Sequence, residues 1–199
     1  MYPNGLHRER ILPAIGLLKQ HLEVVEVDNG CDYRGQMLER IDSYYTPLDR
    51  RSEVALADVF DRLAESPDEV PLLQIESRQI QARRKAGGLV WFDFRTLCGG
   101  PRSQNDYLEI ASQFHTVLLS GVPQMPPRMV SEARRFSWLV DVLYDRRVKL
   151  IISAAVAPVD LYTEGPLVRD FLRTVSRLNE MQSLEFLTLG RRLVDTRLT

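Results

Sequence analysis

Arginine is the residue type in this chain whose placement could do chemistry. In RDFLRTVSRLNEM, Arg169, Arg173 and Arg177 recur at i, i+4 and i+8, which sets three guanidinium groups along one helical face. A planar guanidinium bonds two oxygens at once and stays charged, so such a stripe suits phosphate or carboxylate. Two readings are open. The stripe is either a solvated face with i+3 partners, Asp170 to Arg173 and Arg177 to Glu180, or a face turned toward a nucleotide phosphate or a partner's acidic surface. Further arginines open the helix that follows residue 130 (Arg134, Arg135) and stand near the start of the chain (Arg8, Arg10).

Other chemistries find little support. A phosphate-cradling loop needs G-x-x-x-x-G-K-[ST]; the glycine pairs in AGGLV and CGGPRS lack the Lys-Ser/Thr. A Mg²⁺-holding strand would end in Asp-Glu after four apolar residues. LVWFDF comes nearest, but Phe94 follows Asp93, which reads as a strand edge leading into a turn. No G-x-S-x-G elbow occurs. His7, His21 and His115 are scattered and pair with no cysteine at metal-ligand spacing, so no metal site is expected. Cys31 and Cys98 lie far apart, as small core residues of a reducing compartment would.

The elements that must position the arginines follow from periodicity. Leu6, Ile11, Ile15, Leu18 and Leu22 predict a helix over 6–20, and HLEVVEVD a strand ending at Asp28-Asn29-Gly30. DRRSEVALADVFDRLAE predicts a helix over 49–65 with Leu56, Val59, Phe60 and Leu63 as its apolar stripe. PLLQIES, RQIQARR and GLVWFDF predict a small antiparallel meander with a turn at Gly87-Gly88. Ser103 and Asp106 open a helix as cap and capping acid. HTVLLSGVP is a strand, 130–146 a helix, and VKLIIS a strand of the near-continuous apolar kind buried on both faces. Residues 166–187 predict one last long helix, with Phe171, Val175, Leu178 and Met181 opposite the arginines.

Composition bounds the rest. The 199 residues are 44% hydrophobic and 27% charged, enough to bury a core. Lys+Arg 26 against Asp+Glu 27 gives a net charge of -1, with no global basicity pointing to nucleic acid. No apolar run reaches the roughly 18 residues of a membrane-spanning helix; the longest, Val148 to Val159, is broken by Lys149 and Ser153. No signal peptide pattern is visible.

Several long segments carry a resemblance. FDFRTLCGGPRSQNDYLEIASQFHTVLLSGVP, EARRFSWLVDVLYDRRVKLIISA, RTVSRLNEMQS, PNGLHRERILPAI and VVEVDNGCDYR together look like the ZapE family of AAA+-type P-loop ATPases, over roughly residues 2–187. The resemblance implies an α/β fold: the C-terminal part of a AAA+-type P-loop NTPase module, with a small β-rich segment in the middle and the N-terminal nucleotide-binding half missing. It implies the end of the ATPase core over 1–34, a helical and β-meander segment over 35–95, and an α/β segment over 96–199. In the family, a segment like YPNGLHRER stands in mid-protein, so the resemblance implies that this chain is the C-terminal portion of a ZapE-like ATPase. His7 and Ile11 stand where glutamine and phenylalanine are common.

The family's activity is ATP hydrolysis with Mg²⁺, coupled to remodelling a partner such as the FtsZ division ring in the cytoplasm. On that resemblance, Arg8 and Arg10 are arginine-finger candidates, and Arg134, Arg135, Arg173 and Arg177 are nucleotide-sensing candidates. With no P-loop, the chain alone is expected not to bind or hydrolyse ATP, but to self-associate or join full-length ATPase subunits. Neither nucleic acid nor a membrane segment is expected. The alternative is a non-catalytic binding module or truncated product that docks on full-length subunits or on a division protein.

Overall fold

A computed structural model describes residues 41–192. The helix expected over 6–20, the strand HLEVVEVD, Cys31, Arg8 and Arg10 lie outside the described residues. Within them the order is β1 (Tyr44–Tyr45), α1 (Arg50–Leu63), β2 (Leu72–Ile75), β3 (Arg78–Gln81), β4 (Arg84–Ala86), β5 (Leu89–Asp93), α2 (Gln104–Gln113), β6 (Thr116–Val122), α3 (Val130–Asp145), β7 (Lys149–Ala154), α4 (Val168–Met181) and α5 (Leu184–Thr188).

The sheet is built from two successive βαβ units, β5–α2–β6 and β6–α3–β7, with all three strands parallel. Its spatial order is β1-β7-β6-β5-β4, with β1 parallel to β7 and β4 antiparallel to β5. Period-2 alternation sends apolar residues to both faces. Val90, Phe92, Val117, Leu119, Leu150 and Ile152 face the side of α2 and α3. Leu89, Trp91, Leu118 and Ile151 face Leu56, Val59 and Phe60 of α1. The strands therefore read as unbroken apolar runs because a helix layer covers each face. Ladder register shifts between Leu119 and Val122, where Gly121 takes φ +76 and its N–H donates to Ser153 Oγ at 3.1 Å. A glycine suits that bulge because a side chain is strained at positive φ.

Local chemistry sets the element ends as expected. Asp49 caps α1 by accepting from the Ser52 N–H at 2.8 Å. At α2 the buried Asp106 accepts from both the N–H (2.6 Å) and the hydroxyl (3.0 Å) of Ser103. Gly87 turns the β4–β5 hairpin at φ +54. Gly88 must stay bare because a Cβ there would meet the His115 ring at 2.3 Å.

Two expectations are corrected. The β runs of residues 71–94 are not one meander: β2 and β3 form their own two-stranded sheet, while β4–β5 belongs to the main sheet. GLVWFDF is apolar on both faces, so it pairs with β6 in the interior and leaves the hairpin RQIQ at the periphery. The last helix is likewise not continuous over 166–187. α4 ends at Met181, and Ser183 in extended conformation caps α5 by accepting from the Phe186 N–H at 3.1 Å. That break turns Phe186 and Leu187 into the core, and the buried Lys149 holds it by donating to the carbonyls of Phe186 (2.6 Å) and Leu189 (2.7 Å).

Candidate functional site

Arg134, Arg169, Arg173 and Arg177 come together where α3 and α4 pack, whereas Arg8 and Arg10 lie outside the described residues. In α3 the core takes Ala133, Phe136, Leu139, Val140 and Leu143. Arg134, Trp138, Asp141 and Asp145 recur at steps of four, three and four residues, one stripe beside that core. In α4, Phe171, Thr174, Leu178 and Met181 are buried, and Arg169, Arg173 and Arg177 form the adjoining stripe. The helices are joined by the Phe136 and Phe171 rings, 6.2 Å between centroids, and by Thr174 Oγ1 donating to Ser137 Oγ at 2.9 Å.

Between the stripes lies a groove of about 510 Å³ lined by Arg134, Trp138, Asp141, Arg169, Asp170 and Arg173, with Ser137 and Leu167. Asp141 is its pivot. The carboxylate is buried and accepts from Arg173 Nη2 and from Arg177 Nη1, the latter at 2.5 Å. Arg177 also reaches Asp145 at 3.2 Å and lies over the Tyr144 ring, 4.7 Å from its centroid. The two arginines thus differ: Arg177 has 20% of its side chain exposed, Arg173 67%. Neither uses the i+3 partner the sequence offered. Cross-helix Asp141 and Asp145 take both, because a buried carboxylate needs charge compensation more than an exposed one does. Glu180 accepts from the Tyr144 hydroxyl at 2.8 Å instead, an interaction that raises the tyrosine pKa.

The nucleotide-sensing candidates are therefore not equivalent. Arg134 is exposed on the groove and makes no hydrogen bond or ion pair among the described residues. Arg135 turns away: its Nε donates to the Cys98 carbonyl at 2.6 Å and its Nη2 lies 3.7 Å from Glu132. That bond fixes the π-helical turn 95–99 after β5, whose Cys98 thiol is pushed up in pKa by burial. Arg177 is held within the helix pair. Of these four candidates, Arg134 and Arg173 are the two that a ligand can reach. Arg169, Trp138 and Asp141 were not in the sequence-based set. Arg169 was visible in the stripe; Trp138 and Asp141 became relevant only when α3 met α4.

Two glycine- or acid-marked places have internal partners. At the end of CGGPRS, the buried Asp106 carboxylate occupies the first turn of α2, where a phosphate would otherwise approach the helix N-terminus. Asp93, at the carboxyl end of β5, accepts from Ser120 Oγ at 2.9 Å and Arg83 Nη1 at 3.3 Å. Arg83 in turn pairs with Glu53 and lies over Trp91. Among the described residues, no three His, Cys, Asp or Glu side chains gather to hold a metal, and no helix is long and apolar enough to cross a membrane.

The fold is a mixed α/β protein on a parallel sheet, the architecture that P-loop-type modules share, with an arginine-lined groove on its helical face. The chain belongs to the AFG1-like ATPase family, whose model matches residues 1–189. It is 42% identical over 188 residues to the cell division protein ZapE of Escherichia coli K12, covering 94% of this chain and 50% of that protein. It is 31% identical to lactation elevated protein 1 homolog B of Danio rerio (96% of this chain, 45% of that protein). It is 33% identical to the uncharacterized protein C115.02c of Schizosaccharomyces pombe (83% and 37%). The chain thus spans half or less of the length of these relatives. No solved structure matches it.

Proposed function

We propose that this chain works within an ATP-hydrolysing machine of cell division, in the cytoplasm, whose energy remodels a partner such as the FtsZ ring. The observation that carries the reading is the match to the AFG1-like ATPase family over residues 1–189, with the division role suggested by the name of its Escherichia coli relative. The chain contributes arginines and lid elements to a AAA+-type assembly of itself with P-loop-bearing subunits. Residues 1–199 carry no P-loop motif, and ATP with Mg²⁺ is assigned to the P-loop portion of that assembly. Arg8 and Arg10 are the finger candidates, reaching a neighbour's γ-phosphate, and a finger of this kind contributes roughly a thousandfold or more in rate. Of the sensing candidates, the exposure of Arg134 and Arg173 favours them over Arg135 and Arg177.

Calorimetric titration of the purified chain with Mg-ATP, with phosphate release followed in parallel, tests this. The expected result is no turnover by the chain alone, and a changed rate when it is mixed with a full-length P-loop-bearing family member. That change is lost in Arg8→Ala or Arg10→Ala. Turnover by the chain alone would defeat the division of labour. An unchanged rate in the mixture would leave the chain as a binding module, a reading that the reachable α3–α4 groove independently favours.

A further inference from the structure

We infer that the groove between α3 and α4 is a docking site for an extended acidic segment of a partner protein, with carboxylates at alternate positions and an apolar side chain between them. Arg134 and Arg169 stand on the groove with no hydrogen bond or ion pair among the described residues. Arg173 is two-thirds exposed, and its one partner, Asp141, stays compensated by Arg177 when Arg173 turns outward. Three guanidiniums are thus available to a ligand without leaving a buried carboxylate uncompensated.

Spacing selects the ligand's form. Arg169 and Arg173 are one turn apart, about 6 Å along the helix axis. Alternate side chains of an extended peptide lie about 6.6 Å apart on one face. Carboxylates at alternate positions therefore meet successive guanidiniums, each as a bidentate pair. The intervening side chain points the other way, and Trp138, half-buried on the facing α3, offers it an apolar seat.

The same lining disfavours a nucleotide. Polyphosphates are cradled by backbone N–H groups of glycine-rich turns or helix N-termini; no glycine lines this groove, and where the start of α4 lines it the Asp170 carboxylate takes the first turn. Asp141 and Asp170 place two carboxylates among the three guanidiniums, so the site is weakly positive. That balance suits spaced single charges, not a polyphosphate. The inference does not depend on the ATPase reading above.

The test uses the full chain and a blocked pentapeptide alternating glutamate and leucine, with its lysine–leucine counterpart and Mg-ATP as competing probes. Binding is read from Trp138 emission, with Trp138→Phe as the optical control for the other tryptophan, Trp91. Saturable binding of the acidic peptide is expected, weakening as salt shortens the screening length. Arg134→Glu with Arg169→Glu should weaken it on the order of tenfold or more, while Arg134→Lys with Arg169→Lys, which keeps the charge but loses the planar fork, weakens it less. Both variants replace exposed side chains without internal partners, so their melting should match the parent. Equal binding of the lysine peptide, or indifference to the charge reversal, overturns the proposal. Mg-ATP occupying the groove with the same arginine dependence overturns it in favour of a nucleotide site.

Discussion

At the scale of single residues, chemically identical arginines of the packed pair α3 and α4 have different jobs. Arg177 is bound by Asp141, Asp145 and the Tyr144 ring, so it belongs to the framework. Arg134 is attached to nothing described and belongs to whatever approaches. Melting should separate them. Asp141→Ala leaves Arg177 and Arg173 facing each other without their shared carboxylate, and should cost about 2 kcal/mol, the range for hydrogen bonds to charged groups. In a chain of this size that lowers Tm by about 4–8 °C. Arg134→Ala should stay within about 0.5 kcal/mol of the parent, as surface substitutions away from special features do. Equal losses in the two variants would show that Arg134 has a structural partner. Both jobs are written with the same letter in the sequence, and only the facing helix distinguishes them.

At the scale of elements, the β4–β5 hairpin is tied to α1 and its connection by charge. Arg84 bridges Asp61 and Asp68 and lies over the Phe60 ring, while Lys85 pairs with Glu69. The Asp68 carboxyl is held below its ordinary pKa chiefly by the Arg84 hydrogen bond, and the Glu69 carboxyl by the Lys85 hydrogen bond. A carboxyl with a depressed folded pKa stabilises above its unfolded pKa and loses that contribution as pH falls through the folded value. Asp68→Asn with Glu69→Gln should therefore melt below the parent at neutral pH, and the gap should close on acidification below about pH 4. A gap that persists in acid would mean that the side chains stabilise by packing rather than by charge. The pairs themselves were not legible beforehand, because Asp61, Asp68 and Arg84 meet only after the chain has turned back on α1.

At the scale of the whole molecule, a parallel sheet is covered on one face by α2 and α3, with α4 packed on α3, and on the other face by α1. The α1 face has the smaller core, with Phe60 fully buried and its ring 6.2 Å from that of Trp91. Phe60→Ala should cost about 3–5 kcal/mol, the usual range for emptying a buried aromatic site. It should move chemical denaturation by that amount in a single transition. A separate early transition would show that α1 melts independently of the sheet. Periodicity, caps and apolar runs by themselves determined most elements between residues 49 and 154, since these are local consequences of side-chain spacing. Long ordered segments likewise carried the family. Tertiary structure alone decided which β runs share a sheet, where the last helix breaks, and which arginines are free. Each of those depends on a partner distant in sequence: β6 beside β5, Lys149 beneath α5, and Asp141 opposite Arg173 and Arg177.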